Sequence, residues 1–125
     1  MEWVSSEWIL HEIKEHVDYI SLAGFQVEMI QEGLENICLD VECFKRILNN
    51  IFSNILKYGD KQEKVIVECR YSEFVFRNHI QSSFMEMESH RIGLKSAETK
   101  MQQMNGHLIV QSNENQFCVK LIFQR

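Results

Sequence analysis

Apolar residues recur every three or four positions along three stretches of this chain, which is the pattern of an amphipathic helix. The first stretch runs from Trp3 to about Leu22, the second from Asp40 to Asp60, and the third from Leu94 to Met104. We therefore predict three helices. The second has the widest apolar stripe, and we expect the rest of the fold to be organised around it. That stripe consists of Phe44, Ile47, Leu48, Ile51 and Ile55.

Both ends of the second helix carry recognisable signals. Asp40 precedes the first turn and can cap it with its carboxylate. Gly59 follows the last turn, where we expect it to adopt the left-handed conformation that commonly ends a helix.

Short apolar runs between the helices predict six strands in three successive pairs. The first pair is expected to be a hairpin around Glu32-Gly33, and the last a hairpin around Asn113-Glu114. The middle pair should be antiparallel across the tight Ser72-Glu73 turn. The predicted strands are 25–30, 36–39, 65–71, 74–80, 107–111 and 116–123.

Length and composition limit the possible classes of function. With 125 residues, 45% of them hydrophobic, the chain is expected to be one domain with its own core. A net charge of −5 argues against nucleic acid as the main partner, although a nucleotide needs only a local site. The four cysteines show no metal-binding spacing, so we expect buried free thiols in a reducing cytosol. No apolar run approaches the ~18 residues that span a membrane, but the domain can still be the cytoplasmic part of a membrane-anchored protein.

The polar side of the second helix carries Asn50, Asn54 and Lys57, which are unusual there because Asn is a mediocre helix former. Residues three or four apart project together, so these three side chains can meet one ligand. An Asn carbonyl oxygen suits Mg²⁺, and a Lys suits a phosphate oxygen. By spacing alone, however, the plainer interpretation is favoured, in which this is a polar helix face with two incidental Asn residues.

The segment N-N-I-F-S-N-I-L-K-Y-G resembles the N-box of the sensor histidine kinase ATP-binding domain, in the superfamily that also contains gyrase, Hsp90 and MutL. The resemblance implies that Asn54 ligates Mg²⁺ and that Asn50 and Lys57 assist at the phosphates of ATP. It also implies that Tyr58 lies against the nucleotide. The strand 74–80 is similar to the one that ends in the family's adenine-reading Asp, and here Asn78 stands at that position. The alternative is that Asn78 merely ends a strand.

Residues 81–90 occupy the place of the family's ATP lid, and either cover an apolar pocket or pack onto the core. The next segment resembles the last glycine box, a loop whose backbone N–H groups approach phosphate. Gly93 and Leu94 match that box, but Arg91 replaces its first glycine and either obstructs the approach or contacts phosphate itself. Lys95, expected in the first turn of the following helix, is a further candidate phosphate contact.

The segment H-E-I-K-E-H in the first helix superficially resembles a phosphoacceptor motif. We reject this interpretation, because the family's phosphoacceptor lies on a separate helical hairpin ahead of the N-box. His11 and His16 are expected to be surface residues.

The order of elements is similar to the family's over almost the whole chain. The resemblance implies an α/β two-layer sandwich in which a mixed, mostly antiparallel sheet carries helices on one face. It also implies a domain, C-terminal in a longer kinase, that binds ATP and Mg²⁺ but supplies no catalytic nucleophile. The implied partners are a phosphoacceptor helical domain and a response regulator, in a homodimeric parent. The alternative is a degenerate interaction module that binds no nucleotide; a serine kinase of the anti-sigma type fits the glycine boxes less well.

Overall fold

The computed structural model describes residues 1–81 and 84–124, and for 84–93 it describes the backbone alone. Within these residues, three helices and seven strands follow one another. The helices are α1 (Ser6–Leu22), α2 (Val41–Tyr58) and α3 (Phe84–Gln103). The strands are β1 (Glu2–Val4), β2 (Val27–Glu32), β3 (Ile37–Leu39), β4 (Val65–Arg70), β5 (Glu73–His79), β6 (His107–Ser112) and β7 (Gln116–Ile122).

Five strands form one mixed sheet in the order β2-β4-β5-β7-β6. Strand β2 is parallel to β4, and the remaining neighbours are antiparallel. The predicted antiparallel pair β4-β5 and the predicted hairpin β6-β7 are both confirmed. The short strands β1 and β3 pair separately, beyond the main sheet.

The core lies between the three helices and one face of the sheet. Alternate strand residues point into it, among them Val67 on β4, Phe76 on β5 and Val119 on β7, which lie side by side across the sheet. The predicted stripe of α2 is buried against them, together with Phe52. The side chains on the other face of the sheet are mainly charged, polar or partly exposed. The two-layer fold with helices on one face is therefore confirmed.

The first predicted hairpin is wrong. Strand β3 pairs with β1, while β2 lies parallel to β4 with Val27 opposite Val65. This register places Val27 and Met29 on the same helix-covered face as Val65 and Val67, packed against the core. Residues 3 and 4 belong to β1 and not to the first helix, because Ser5 caps α1 by accepting the Trp8 N–H at 3.1 Å.

Two predictions about α2 have different outcomes. Asp40 caps the helix as predicted, accepting the Cys43 N–H at 3.0 Å. This bond lowers the pKa of the Asp40 carboxyl, with a weaker opposing effect from burial. The predicted left-handed conformation of Gly59 is wrong. Its φ is −69° and its ψ is 147°, because the chain leaves the helix directly in extended form.

Helix α3 begins earlier than the sequence pattern indicated. We expected a lid over 81–90, a glycine-box loop and a helix starting near Leu94, but residues 84–103 form one helix. This stretch contains no Pro and a single Gly among good helix formers, so little in it stops the helix. The predicted buried residues of its second half are confirmed: Leu94, Ala97, Met101 and Met104.

The four cysteines are free, and only Cys69 among them is buried; the other three are half-buried. Burial raises the pKa of the Cys69 thiol to about 11, so it remains protonated at neutral pH. In the described residues, no helix is both long enough and apolar enough to cross a membrane.

Candidate functional site

The N-box side chains lie on the side of α2 that is turned away from the densest part of the core. Asn50 and Asn54 are half-buried, one turn apart, and Lys57 is exposed. Lys57 makes no ion pair with any residue that the structure describes, so its ammonium group is available to an anion. The helix therefore presents two amide groups and one cation along a single polar strip.

The end of α2 is joined to the end of β5 by backbone hydrogen bonds. The Asp60 N–H donates to the His79 carbonyl at 2.8 Å, and the Gln81 N–H donates to the Tyr58 carbonyl at 3.0 Å. Gly59 and Ile80 form an antiparallel bridge between these two bonds. Apart from Gly59, no pattern in the sequence indicated this junction. It places Tyr58 beside the segment that follows Asn78.

Asn78 is 5% exposed, on the helix-covered face of β5 beside Phe117 of β7. Its side-chain amide N–H donates to the His79 carbonyl at 3.0 Å. With that donor engaged within the protein, the side-chain oxygen is the group suited to accept a hydrogen bond from a ligand. A buried hydrogen-bond acceptor at this position, near the end of α2, is the kind of group that recognises an amino group of a ligand.

The predicted glycine-box residues form no loop. Leu94 is 1% exposed and belongs to the core, while Lys95 is exposed and lies near the middle of α3 and not in its first turn. Arg91 and Gly93 lie on the helical backbone, and their surroundings are outside the described part of the chain. Of the nine candidates, Asn50, Asn54, Lys57, Tyr58 and Asn78 thus come from two joined elements.

A cavity of about 370 Å³ lies on the helix-free face of the sheet. The described residues that line it include Asn78, but none from α2. Sequence reasoning missed this cavity. Among the residues that line it, Arg77, His79, Gln111 and Gln116 occupy outward positions of strands, and only the strand order reveals that they are neighbours.

Comparison with known proteins gives a consistent result for the fold. No family model matches the chain. A sensor histidine kinase of Bacillus subtilis (strain 168), YrkQ, is 25% identical over 126 residues, which cover 95% of this chain and 29% of that protein. The chain thus spans less than a third of that relative.

Solved structures of similar shape come from the same class of protein. The cytoplasmic segment of histidine kinase QseC has a TM-score of 0.75 at 12% identity, covering 98% of this chain and 77% of that one. The catalytic domain of histidine kinase ThkA has a TM-score of 0.72 at 14% identity, covering 97% and 96%. The chain has the histidine kinase catalytic-domain fold. The histidine kinase domain of the E. coli osmosensor EnvZ shares this fold, with a TM-score of 0.69 at 15% identity over 100% and 90% of the two chains.

Within the histidine kinase catalytic-domain fold, the donor set on α2 suits magnesium and phosphate. Mg²⁺ prefers hard oxygen ligands, which the Asn50 and Asn54 amides provide, and it usually shares them with phosphate oxygens. Lys57 supplies the positive charge. Since both Asn side chains are only half-buried, an ion at this position would retain part of its water shell.

Proposed function

We propose that this domain binds Mg-ATP as the catalytic domain of a two-component sensor histidine kinase, and that it positions the nucleotide for phosphoryl transfer to a histidine on a separate helical domain. The observation that carries the proposal is the junction between α2 and β5. It joins the end of α2, which follows the polar strip, to the end of β5, which carries the buried acceptor Asn78, and this supports a shared site.

Each side chain has a distinct role in this proposal. Asn54 ligates Mg²⁺, with Asn50 and Lys57 assisting at the phosphates. Asn78 accepts a hydrogen bond from the adenine amino group through its side-chain oxygen, and Tyr58 lies against the nucleotide. Bound Mg²⁺ neutralises phosphate charge, and the protein's own contribution is to position the reacting groups.

The parent protein follows from the same proposal. The similarity to a relative more than three times as long supports a longer kinase in which this is the catalytic domain, and we place it at the C-terminal end of that kinase as part of the proposal. Its partners would be the phosphoacceptor helical domain, a second copy of the kinase and a response regulator. The proposed location is the cytoplasm, as part of a soluble or membrane-anchored kinase.

A second candidate function is supported by α3. Because this helix runs through Gly93 and Leu94, and Leu94 is buried, the backbone there has no free N–H groups with which to hold phosphate. A domain that kept the fold, but lost the phosphate loop, would serve as an interaction module without nucleotide affinity.

Titration of the purified domain with ATP, in the presence and absence of Mg²⁺, distinguishes the two candidates. A bound ligand at 100 times its dissociation constant adds about 2.7 kcal/mol of stability, which shifts the melting temperature by several degrees. A Mg-dependent shift, together with a heat of binding by calorimetry, is the expected result. The absence of both at millimolar ATP would contradict the kinase proposal and favour the interaction module.

A further inference from the structure

The cavity on the helix-free face of the sheet has an unusual balance of charge. Its described lining contains the basic side chains Lys64 and Arg77, together with His79, and no Asp or Glu. The chain as a whole has 18 acidic against 13 Lys and Arg residues, so a concave surface with only basic charges stands apart from the average surface. We propose that this cavity is a binding site for a small anion that carries phosphate or carboxylate groups.

The sheet brings these residues together from separate strands. Arg77 of β5 lies between Ile66 of β4 and Cys118 of β7. His79 lies opposite Gln116, whose side-chain nitrogen is 3.4 Å from the imidazole Nε2. Strand pairing therefore fixes the positions of Arg77 and His79. Lys64 immediately precedes β4 and lines the same cavity.

Several other charges on this face are paired with one another, whereas Glu28, exposed on β2 beside Ile66, has no ion pair among the described residues. Arg70 pairs with Glu32 and lies 3.9 Å from Glu68, and Lys120 lies 3.5 Å from Glu73. Among the residues that the structure describes, neither Lys64 nor Arg77 takes part in an ion pair. Glu68 is a diagonal neighbour of Arg77 across the sheet, but its carboxylate is directed to the Arg70 side. Arg77 and Lys64 thus retain charge for an external anion.

Size and polarity indicate a small molecule. A volume of about 370 Å³ is near the lower end of ligand cavities, which range from roughly 300 to 1,000 Å³. Around the cations, Gln111, Asn113 and Gln116 contribute side-chain amides, which can donate to anionic oxygens. A guanidinium can hold two oxygens of one phosphate or carboxylate group. The cavity therefore suits a compact anion with a polar body.

This site borders the proposed nucleotide site, since Asn78 lines the cavity and is also the proposed adenine contact. Its cations lie at the helix-free face, whereas Asn50, Asn54 and Lys57 lie on α2, on the other side of the sheet. Loss of anion binding in Arg77→Gln and loss of Mg-dependent nucleotide binding in Asn54→Ala therefore test the two proposals separately. An anion bound here would be a second ligand of the domain, alongside the nucleotide.

The test is a titration of the full chain with inorganic phosphate and, separately, with succinate, followed by backbone amide NMR at constant ionic strength. We expect saturable shifts at Gln111, Gln116 and Cys118 with at least one of the two anions, and none with glycerol as a neutral probe. A response to phosphate alone would assign a phosphorylated ligand, and a response to succinate alone a carboxylate ligand. If neither anion gives saturable shifts at tens of millimolar, the proposal is wrong.

Variants separate a specific site from general attraction. Arg77→Gln should weaken binding by about tenfold, as expected for loss of a charge-assisted hydrogen bond, and Lys64→Gln should act in the same direction. Lys120→Gln is the matched control, because it removes a positive charge from the same face outside this cavity. Equal losses of anion affinity in Arg77→Gln and Lys120→Gln would indicate general charge attraction and would overturn the proposed site. Asn54→Ala should leave anion binding unchanged, and amide spectra of each variant report its fold.

Discussion

The Gln81 N–H donates to the carbonyl oxygen of Tyr58 at 3.0 Å, which joins the last residue of α2 to the segment after β5. A second hydrogen bond runs from the Asp60 N–H to the His79 carbonyl oxygen. The two bonds pair the chain that leaves the helix with the end of β5, in the manner of a short antiparallel strand. The position of the polar strip of α2 relative to Asn78 thus depends on the backbone between Tyr58 and Asp60. Gly59 lies at its centre.

The first prediction concerns Gly59→Ala. An added Cβ would lie 2.5 Å from the Ile55 carbonyl oxygen and 2.8 Å from the ring of Phe25, so the chain has to shift. Overpacking of this kind costs about 1–3 kcal/mol, which urea denaturation would detect as a lower midpoint with an unchanged slope. Lys45→Ala, at an exposed position of the same helix, is the control. Equal stability of Gly59→Ala and the native chain would show that the junction is not tightly packed.

Much of the fold follows from local pattern, as the elements around α2 illustrate. The apolar stripe with Phe44 and Ile51 and the Asp40 cap are local signals, and the structure reproduces them. The pairing of β4 with β5 and of β6 with β7 follows because each pair is adjacent in sequence. The first predicted hairpin failed because strand pairing there depends on distant partners. The parallel neighbour of β2 lies more than thirty residues further along the chain, and no local pattern identifies it.

The candidate site divides in the same way. The N-box residues could be selected from the sequence because Asn50, Asn54 and Lys57 lie about one helical turn apart and also resemble the family's N-box, since spacing alone favoured an incidental polar face. The start of α3 could not be predicted, because the glycine-box resemblance competed with ordinary helix propensity over residues 84–93. The cavity around Arg77 was also beyond sequence reasoning, since its residues come from four strands and the segments beside them and meet only through the sheet register.

The second prediction concerns Asn54→Ala. If the Asn54 oxygen ligates Mg²⁺, the variant should lose the Mg-dependent part of ATP binding, by at least about tenfold in affinity, while its thermal stability without ligand changes little. Calorimetric titration with and without Mg²⁺ measures the ATP affinity, and a thermal melt without ligand measures the stability. Ser53→Ala is the matched control, as a half-buried polar neighbour on the same helix. Unchanged Mg-dependent binding in Asn54→Ala would remove this residue from the site.

The third prediction concerns Phe44, which is fully buried between the helices and the sheet. Its ring centroid lies 5.9 Å from that of Phe123, 6.1 Å from Trp8 and 6.3 Å from Phe74. Phe44→Ala would leave a cavity among these rings and should cost about 3–5 kcal/mol, and Phe44→Leu less. Tyr19→Ala, at a residue 65% exposed, should change stability by under about 0.5 kcal/mol. Equal urea midpoints for the two alanine variants would contradict this core.

The fourth prediction concerns the pH dependence of stability through His16. Its imidazole stacks on the Phe52 ring with centroids 4.9 Å apart, and desolvation by burial lowers its pKa below the ordinary 6.5, against the opposing effect of Glu12 and Glu15. The imidazole lines a shallow groove between α1 and α2, whose other lining residues include Tyr19, Asn49, Ser53 and Leu56. His16 was expected at the surface, and it is in fact half-buried.

The sign follows from proton linkage. Between the lowered pKa of folded His16 and 6.5, the unfolded chain binds more protons than the folded one, so the free energy of unfolding falls as the pH drops through this window. Below the folded pKa both states are protonated, and this contribution stays constant. His16→Gln should therefore lose less stability than the native chain when urea denaturation is compared above 6.5 and well below it. His107→Gln, at an exposed histidine on β6, should keep the native pH dependence. If His16→Gln also kept the native pH dependence of stability, the imidazole stacked on Phe52 would not be the group that causes it.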